Sequence, residues 1–360
     1  VKAPRWALKL QTLFRRKVSG LQGDMASKRE PQVHVVILDG TMASLADGML
    51  TNAGQTYQLL KRAVPPVSLY YEAGVQFTKW RNAPDVMMGK GINRQIRRAY
   101  GFLASRYRPG DKIFLFGYSR GAFAARSLAG VIDRVGLLEA QHATERNVKL
   151  AYRHYECAPD SDAAMAFGKS FCHASAEIEM IGVWDTVKAL GLRLPLLWRL
   201  TEERHAFHNH HLGQSVRHGF QALALNENRA VFEPVLWECD DHLNEGFKGR
   251  VEQMWFRGSH ADIGGQLLDH EESRPLANIP FVWMLEKSEA LGLPLPQGWQ
   301  VDYPQDVNAP SVGTWTGWGK LFLIRKKRKP GSDPSEAIHH SVNRYEKIKG
   351  PKYRPLRKRA

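Results

Sequence analysis

Residues 112–126 read KIFLFGYSRGAFAAR. Lys112 to Phe116 is rich in β-formers and runs into Gly117-Tyr118-Ser119-Arg120-Gly121. A small-residue, helix-prone stretch follows at once. A strand, a sharp turn and a helix in that order form a nucleophile elbow, in which a serine hydroxyl is lifted above the end of a sheet. Gly117 and Gly121 have no Cβ, so the strand and the helix can approach closely on either side of Ser119. With Gly and Ser each at roughly 7%, such a pentapeptide arises by chance in about one chain in ten of this length. The flanking pattern therefore carries the reading.

Working outward, Val33 to Leu38 reads as a strand ending at Asp39-Gly40-Thr41, and Val67 to Tyr71 as a second. Ile92, Ile96, Ala99, Tyr100 and Leu103 have helical spacing. Beyond the elbow, 120–132 reads as a helix and 140–176 as mostly helical. Glu177 to Trp184 reads as a strand running into Asp185-Thr186. Val216 to Leu225 looks helical. Val235 to Glu238 and Val251 to Phe256 look like strands, and 278–291 like a helix. Strands alternating with helices predict an α/β fold of the hydrolase-like kind, a mostly parallel sheet with helices on both faces.

The 360 residues carry a net charge of +15. Six basic residues in 1–17, five in RKKRK at 325–329 and seven in 347–360 more than account for it, so the body is close to neutral. This divides the chain into a basic N-terminal extension (1–30), a catalytic domain (31–300) and a basic C-terminal segment (301–360). Met25-Ala26-Ser27 reads as a translation start, which makes 1–24 an upstream extension. The charge fits solubilising tails or contact with an anionic membrane surface. It does not fit a nucleic-acid groove, which spreads basic residues and aromatics over a folded face. Trp6, Leu10, Leu13 and Phe14 mark one face of a short N-terminal helix. No apolar run approaches the roughly 18–20 residues that span a bilayer. No signal peptide is evident, and three cysteines without C-x-x-C spacing argue against a disulfide framework. These features fit the cytoplasm, with membrane association or signal-peptide-independent export.

Three polar residues end three expected strands: Ser119, Asp185 and His260. Ligand sites of open α/β sheets lie at such carboxyl ends, and Ser…Asp…His is the chain order of the α/β-hydrolases. A serine hydroxyl needs a base to act at neutral pH. His260 would serve as that base, and Asp185 would hold its tautomer. Asp262 and Asp240 are rival acids. The N–H groups of Arg120 and of the Gly40-Thr41 loop would receive an oxyanion. Asp39 would brace that loop through hydrogen bonds to backbone N–H groups. Thr41 stands where an aspartyl phosphatase's D-x-D motif has its second acid, so that chemistry is disfavoured. His205, His208, His210 and His211 cluster without a completing ligand, so neither metal nor cofactor is expected.

VVILDGT (35–41), YYEAGV (70–75), GINRQIRRAYGFLASRYRPGDKIFLFGYSRGAFAARSLAGVI (91–132), IGVWDTV (181–187), ALALNENRAVFEP (222–234) and MWFRGSHADIGG (254–265) follow one another in order. Together they closely resemble the uncharacterised α/β-hydrolase family that includes the catalytic domain of type VI secretion phospholipase effectors. The resemblance implies a Ser-Asp-His triad at Ser119, Asp185 and His260, and lipid ester or phospholipid hydrolysis in some members. Met42, Asn226 and Gln266 depart from the family's usual residues. Residues 187–215, with Leu192, Leu194, Leu196, Leu197 and Trp198, would form a lid or acyl-chain wall. Trp315, Trp318, Leu321, Phe322 and Leu323, preceding RKKRK, would dock on anionic lipid. The competing class is a non-catalytic binding or scaffolding module with basic tails. Such a module would have no use for all three polar residues.

Overall fold

The computed structural model describes residues 29–46, 48–74, 90–187, 211–239, 249–315 and 324–349. The expected N-terminal helix, most of the expected lid at 187–215, residues 316–323, Asp240, the N-terminal basic run and the C-terminal basic run beyond residue 349 lie outside the described residues. The chain divides at residue 31 into two units, and every element below belongs to the second.

Seven parallel strands form one sheet: β1 (Val33–Leu38), β2 (Ser68–Glu72), β3 (Lys112–Tyr118), β4 (Ile178–Trp184), β5 (Val216–Ala224), β6 (Val251–Phe256) and β7 (Glu336–Ile338), in the order β2-β1-β3-β4-β5-β6-β7. The helices are α1 (Asn52–Leu60), α2 (Lys90–Ala104), α3 (Arg120–Arg134), α4 (Glu145–Cys157), α5 (Asp162–Phe171), α6 (His260–Gly264), α7 (Arg274–Ala290) and α8 (His340–Lys349). Successive strand side chains point to opposite faces, and in β1 and β3 both faces are apolar. Val36, Leu38, Ile113 and Leu115 join α2, α3 and α4 in one core. Val35, Ile37, Phe114 and Phe116 join α1 and α7 in the other. This two-sided burial is what forces helices onto both faces of a parallel sheet. The order reverses between β1 and β3, so their carboxyl ends open a crevice at the topological switch point.

Two expected elements differ. Val216–Ala224 is not a helix but the strand between β4 and β6, with Met180 opposite His218 and Phe220 opposite Glu252. Its polar residues Arg217, His218 and Gln221 fall on both faces, so the sequence shows no strand alternation and period alone does not separate it from a helix. Val235 to Glu238 joins no ladder. Its backbone bonds to glutamine side chains: the Trp237 N–H donates to Gln253 Oε1 at 2.8 Å, Gln253 Nε2 donates to Trp237 O at 2.9 Å, and Gln221 Nε2 donates to Val235 O at 3.0 Å.

RKKRK is also no free appendage. Arg325 donates to Asn228 Oδ1 and stacks on Trp315, Lys326 pairs with Glu233, and Arg328 reaches Asp185. No disulfide joins Cys157, Cys172 and Cys239. Among the described residues no helix is long and apolar enough to cross a membrane.

Candidate active site

Ser119 follows β3 with φ 58° and ψ −120°, and Asp185 follows β4 with φ 46°. Such conformations cost a non-glycine residue on the order of 1–3 kcal/mol and persist only where the surroundings hold them. Here the Ser119 N–H donates to Trp184 O at 3.0 Å and the Asp185 N–H to Ala222 O at 2.8 Å, tying each turn to the neighbouring strand. A Cβ on Gly121 would lie 2.1 Å from Leu38 O, and one on Gly117 2.6 Å from the Ala122 Cα. The two glycines that flank Ser119 are thus required by close backbone approach.

The structure brings the three strand-end residues together. His260 Nε2 lies 2.9 Å from Ser119 Oγ, and His260 Nδ1 lies 2.6 Å from Asp185 Oδ2. Although Ser119 precedes α3, its side chain makes no cap to that helix. Asp185 is fully buried, while Ser119 and His260 are 6% and 5% exposed. The imidazole stacks on Phe232, with centroids 4.7 Å apart, and packs against Tyr118 at 5.0 Å. Burial alone would push the Asp185 carboxyl up; the Arg328 charge and the hydrogen bond from His260 outweigh it and hold the group well below the usual carboxylate range.

At the end of β1, Asp39 is a buried hub. Its Oδ1 accepts the Gly40 N–H at 2.7 Å, its Oδ2 accepts the Tyr71 hydroxyl at 2.7 Å, and Thr51 donates to both oxygens. Burial raises the Asp39 pKa, and these three donors pull it only part of the way back. The Gly40 N–H is therefore already occupied. No described acceptor takes the N–H of Thr41 or of Arg120. The Thr41 carbonyl is gripped by Gln266 Nε2 at 3.0 Å, which ties the β1 loop to the loop bearing His260. Burial brings the Arg120 guanidinium down to about 10.

With this geometry in view, comparison with known proteins is specific. Residues 32–287 match the family of type VI secretion phospholipase effectors, Tle1-like, catalytic domain. The chain belongs to the Tle1-like catalytic domain family. That membership supports a lipase or phospholipase function. A curated relative, an uncharacterised protein of Saccharomyces cerevisiae, is 30% identical over 228 residues, which is 56% of this chain and 32% of the relative. An uncharacterised protein from Pseudomonas aeruginosa is similar in structure at 12% identity and TM-score 0.45, covering 85% of this chain and 53% of that one. A structure of the Tle1 effector bound to the VgrG spike is similar at 17% identity and TM-score 0.33, covering 66% of this chain and 51% of its own. The chain spans about a third of the curated relative's length and about half of each solved chain.

Within this Tle1-like domain, Asp262 does not face His260. It accepts the Ser259 N–H at 2.7 Å, Ser311 Oγ at 2.5 Å and the Val312 N–H at 2.9 Å, so it fixes the start of α6. Four further residues border the site. Buried Glu227 accepts the His260 N–H at 3.1 Å and pairs with Arg229 at 2.6 Å, which keeps its carboxyl below the ordinary value despite burial. Arg229 lies over the Phe232 ring at 4.4 Å. Arg328 completes the group. Glu227, Arg229 and Phe232 all fall inside the ALALNENRAVFEP block, where an acid two residues before an arginine was the available signal. Arg328 gave no signal of its own within RKKRK. Of the expected histidine cluster, only His211 is described, and its Nδ1 is 2.9 Å from Glu238 O.

Proposed function

We propose that this chain is a serine esterase that cleaves carboxylic esters of lipids, phospholipids included, through an acyl-enzyme. The observation that carries the reading is the unbroken hydrogen-bond chain from Ser119 through His260 to Asp185. His260 Nε2 takes the Ser119 proton as Oγ bonds to the ester carbonyl carbon. The N–H groups of Arg120 and Thr41, which have no acceptor among the described residues, receive the negative charge that builds on the carbonyl oxygen. As the ester C–O bond breaks, His260 returns the proton to the departing alcohol or lysolipid. Water then attacks the acyl-enzyme by the same route and releases the fatty acid, regenerating Ser119. Throughout, Asp185 holds Nδ1–H toward itself and stabilises the imidazolium.

A fluorophosphonate probe tests the reading. Wild type should label on Ser119 and Ser119→Ala should not, and wild type should release fatty acid from phosphatidylethanolamine–phosphatidylglycerol vesicles. A well-folded wild type that neither labels nor releases fatty acid would sink it.

A further inference from the structure

We infer that Arg328, which lies beyond residues 32–287 matched by the family, is a positioning residue that fixes both the Asp185 carboxylate and the Phe232 wall of the His260 pocket. This rests on Asp185 being the partner of the catalytic base. Asp185 is fully buried, and all four of its acceptor positions are filled. Oδ1 takes the Ala224 N–H at 3.0 Å and Arg328 Nη1 at 2.5 Å; Oδ2 takes His260 Nδ1 at 2.6 Å and Arg328 Nη2 at 3.0 Å. A two-pronged guanidinium–carboxylate pair fixes the plane of the carboxylate as well as its distance, which a single point charge cannot do. With that plane fixed, Oδ2 is held toward both the imidazole and the second prong of the fork.

The same guanidinium holds the opposite wall of the pocket. Arg328 Nη1 donates to Ala224 O at 2.9 Å and Nη2 donates to Phe232 O. The Phe232 ring is the one stacked on His260. Arg328 thus grips both the acid and the backbone of the aromatic that confine the imidazole, and only 5% of its side chain is exposed. Its own segment is laced to the 228–233 loop, with the Lys326 N–H donating to Asn228 O at 2.7 Å and the Ala230 N–H to Ile324 O at 3.0 Å.

The pair also balances charge. A lone buried carboxylate would favour a protonated His260, whereas the Arg328 cation opposes it. Among the described residues the other titratable groups against His260 are Glu227, which accepts its backbone N–H and is paired with Arg229, and the uncharged Tyr118 phenol packed on its ring. Removing Arg328 therefore leaves one uncompensated negative charge beside His260.

The test is kcat and KM for a soluble short-chain p-nitrophenyl ester across about pH 5 to pH 9, where an imidazole titrates, in Arg328→Met, Arg328→Lys, Asp185→Asn and the double variant Asp185→Asn/Arg328→Met. Arg328→Met should lower kcat by about 10²-fold at nearly constant KM, the scale on which misdirecting a supporting partner acts. It should also move the acid limb of kcat/KM upward by about one pH unit, as loss of a nearby opposing charge does. Arg328→Lys keeps the charge and loses the fork, so its acid limb should stay in place while kcat falls. In the Asp185→Asn background, adding Arg328→Met should cost less than about threefold, because residues acting through one another are not additive. A folded Arg328→Met with wild-type kcat and acid limb, or losses that simply multiply in the double variant, would overturn the inference. If Arg328→Met does not fold, the lysine variant and the double variant, which strands no buried charge, decide on the same criteria, and wild-type kcat in Arg328→Lys overturns it. Labelling separates this inference from the reading beneath it. A wild type that labels at Ser119 while Arg328→Met labels equally fast overturns the Arg328 role alone. A folded wild type that does not label overturns both.

Discussion

Phe232 stacks on the His260 imidazole, planes 20° apart, while its own backbone carbonyl accepts a hydrogen bond from Arg328. A flat ring at that distance opposes tilting of the imidazole away from Ser119. Truncating Phe232 to Ala should therefore reduce kcat by on the order of 10-fold, because small misplacements of a catalytic group cost rate steeply. Phe232→Leu should lose less, since it restores bulk without the flat face. Steady-state hydrolysis of a soluble ester measures both. Equal, wild-type rates in the two variants would show that the stack is packing and nothing more.

Asp39 offers a second handle. Thr51 and Tyr71 both donate hydroxyls to it, and the Gly40 N–H completes the set. An amide in its place can still accept from Gly40 but cannot accept on its nitrogen from Tyr71. Asp39→Asn should therefore let the Gly40-Thr41 loop drift and take the Thr41 N–H off target. A loss of about 10²-fold in kcat is expected if that donor is removed. Tyr71→Phe removes a single hydroxyl and should cost about 1 kcal/mol of stability with a smaller change in rate. Chemical denaturation and single-turnover acylation on the two variants would separate the loop's catalytic part from its structural one.

Much of this arrangement could be read from residue order because strand ends carry short, polar signatures. Asp39-Gly40, Ser119, Asp185 and His260 each terminate a β-rich run, and a parallel sheet brings such ends to one edge. Val216–Ala224 hides its strand character because its polar residues, Arg217, His218 and Gln221, fall on both faces and leave no alternation. The ring of supporting residues was harder to see. Glu227 touches His260 through a backbone N–H, a bond that no spacing rule anticipates. Arg328 stands 143 positions from Asp185, inside a basic run whose composition suits a solvated loop equally well. Only the return of the chain to form β7 beside β6 brings that run against the end of β4.

Backbone strain yields a third prediction. Among the described residues four non-glycines have positive φ: Met42, Ser119, Asp185 and Leu268. Two belong to the hydrogen-bond chain, and Leu268 is a 55% exposed leucine with no core to fill. Glycine adopts such a backbone without the Cβ penalty. Ser119→Gly and Leu268→Gly should each raise stability by about 1 kcal/mol, the net of strain relieved and unfolded-state entropy added. Only Ser119→Gly should abolish fluorophosphonate labelling. Thermal melts read the first effect and labelling the second. A destabilised Ser119→Gly would mean that the hydroxyl's bond to His260 outweighs the strain at the turn.

The buried carboxylates make stability depend on pH in opposite senses. Asp185 has its pKa depressed in the folded state, with Arg328 and His260 overriding burial. Its stabilising contribution is complete above the unfolded carboxylate value, about pH 4, and is lost as pH falls through the lower folded value. Asp39 is raised by burial, so its contribution is complete below about pH 4 and declines as pH rises through the folded value. The double variant Asp185→Asn/Arg328→Met removes the first term without leaving a buried lone charge. Its melting temperature should fall less than that of wild type between about pH 4 and pH 2, where the Asp185 term is lost. Asp39→Asn removes the second term, so its deficit relative to wild type should shrink as pH rises above about 4 and the raised Asp39 carboxyl ionises. Melting curves at matched ionic strength measure both slopes. Parallel curves for wild type and the double variant would place the acid sensitivity elsewhere, with the Glu227–Arg229 pair as the next group to remove.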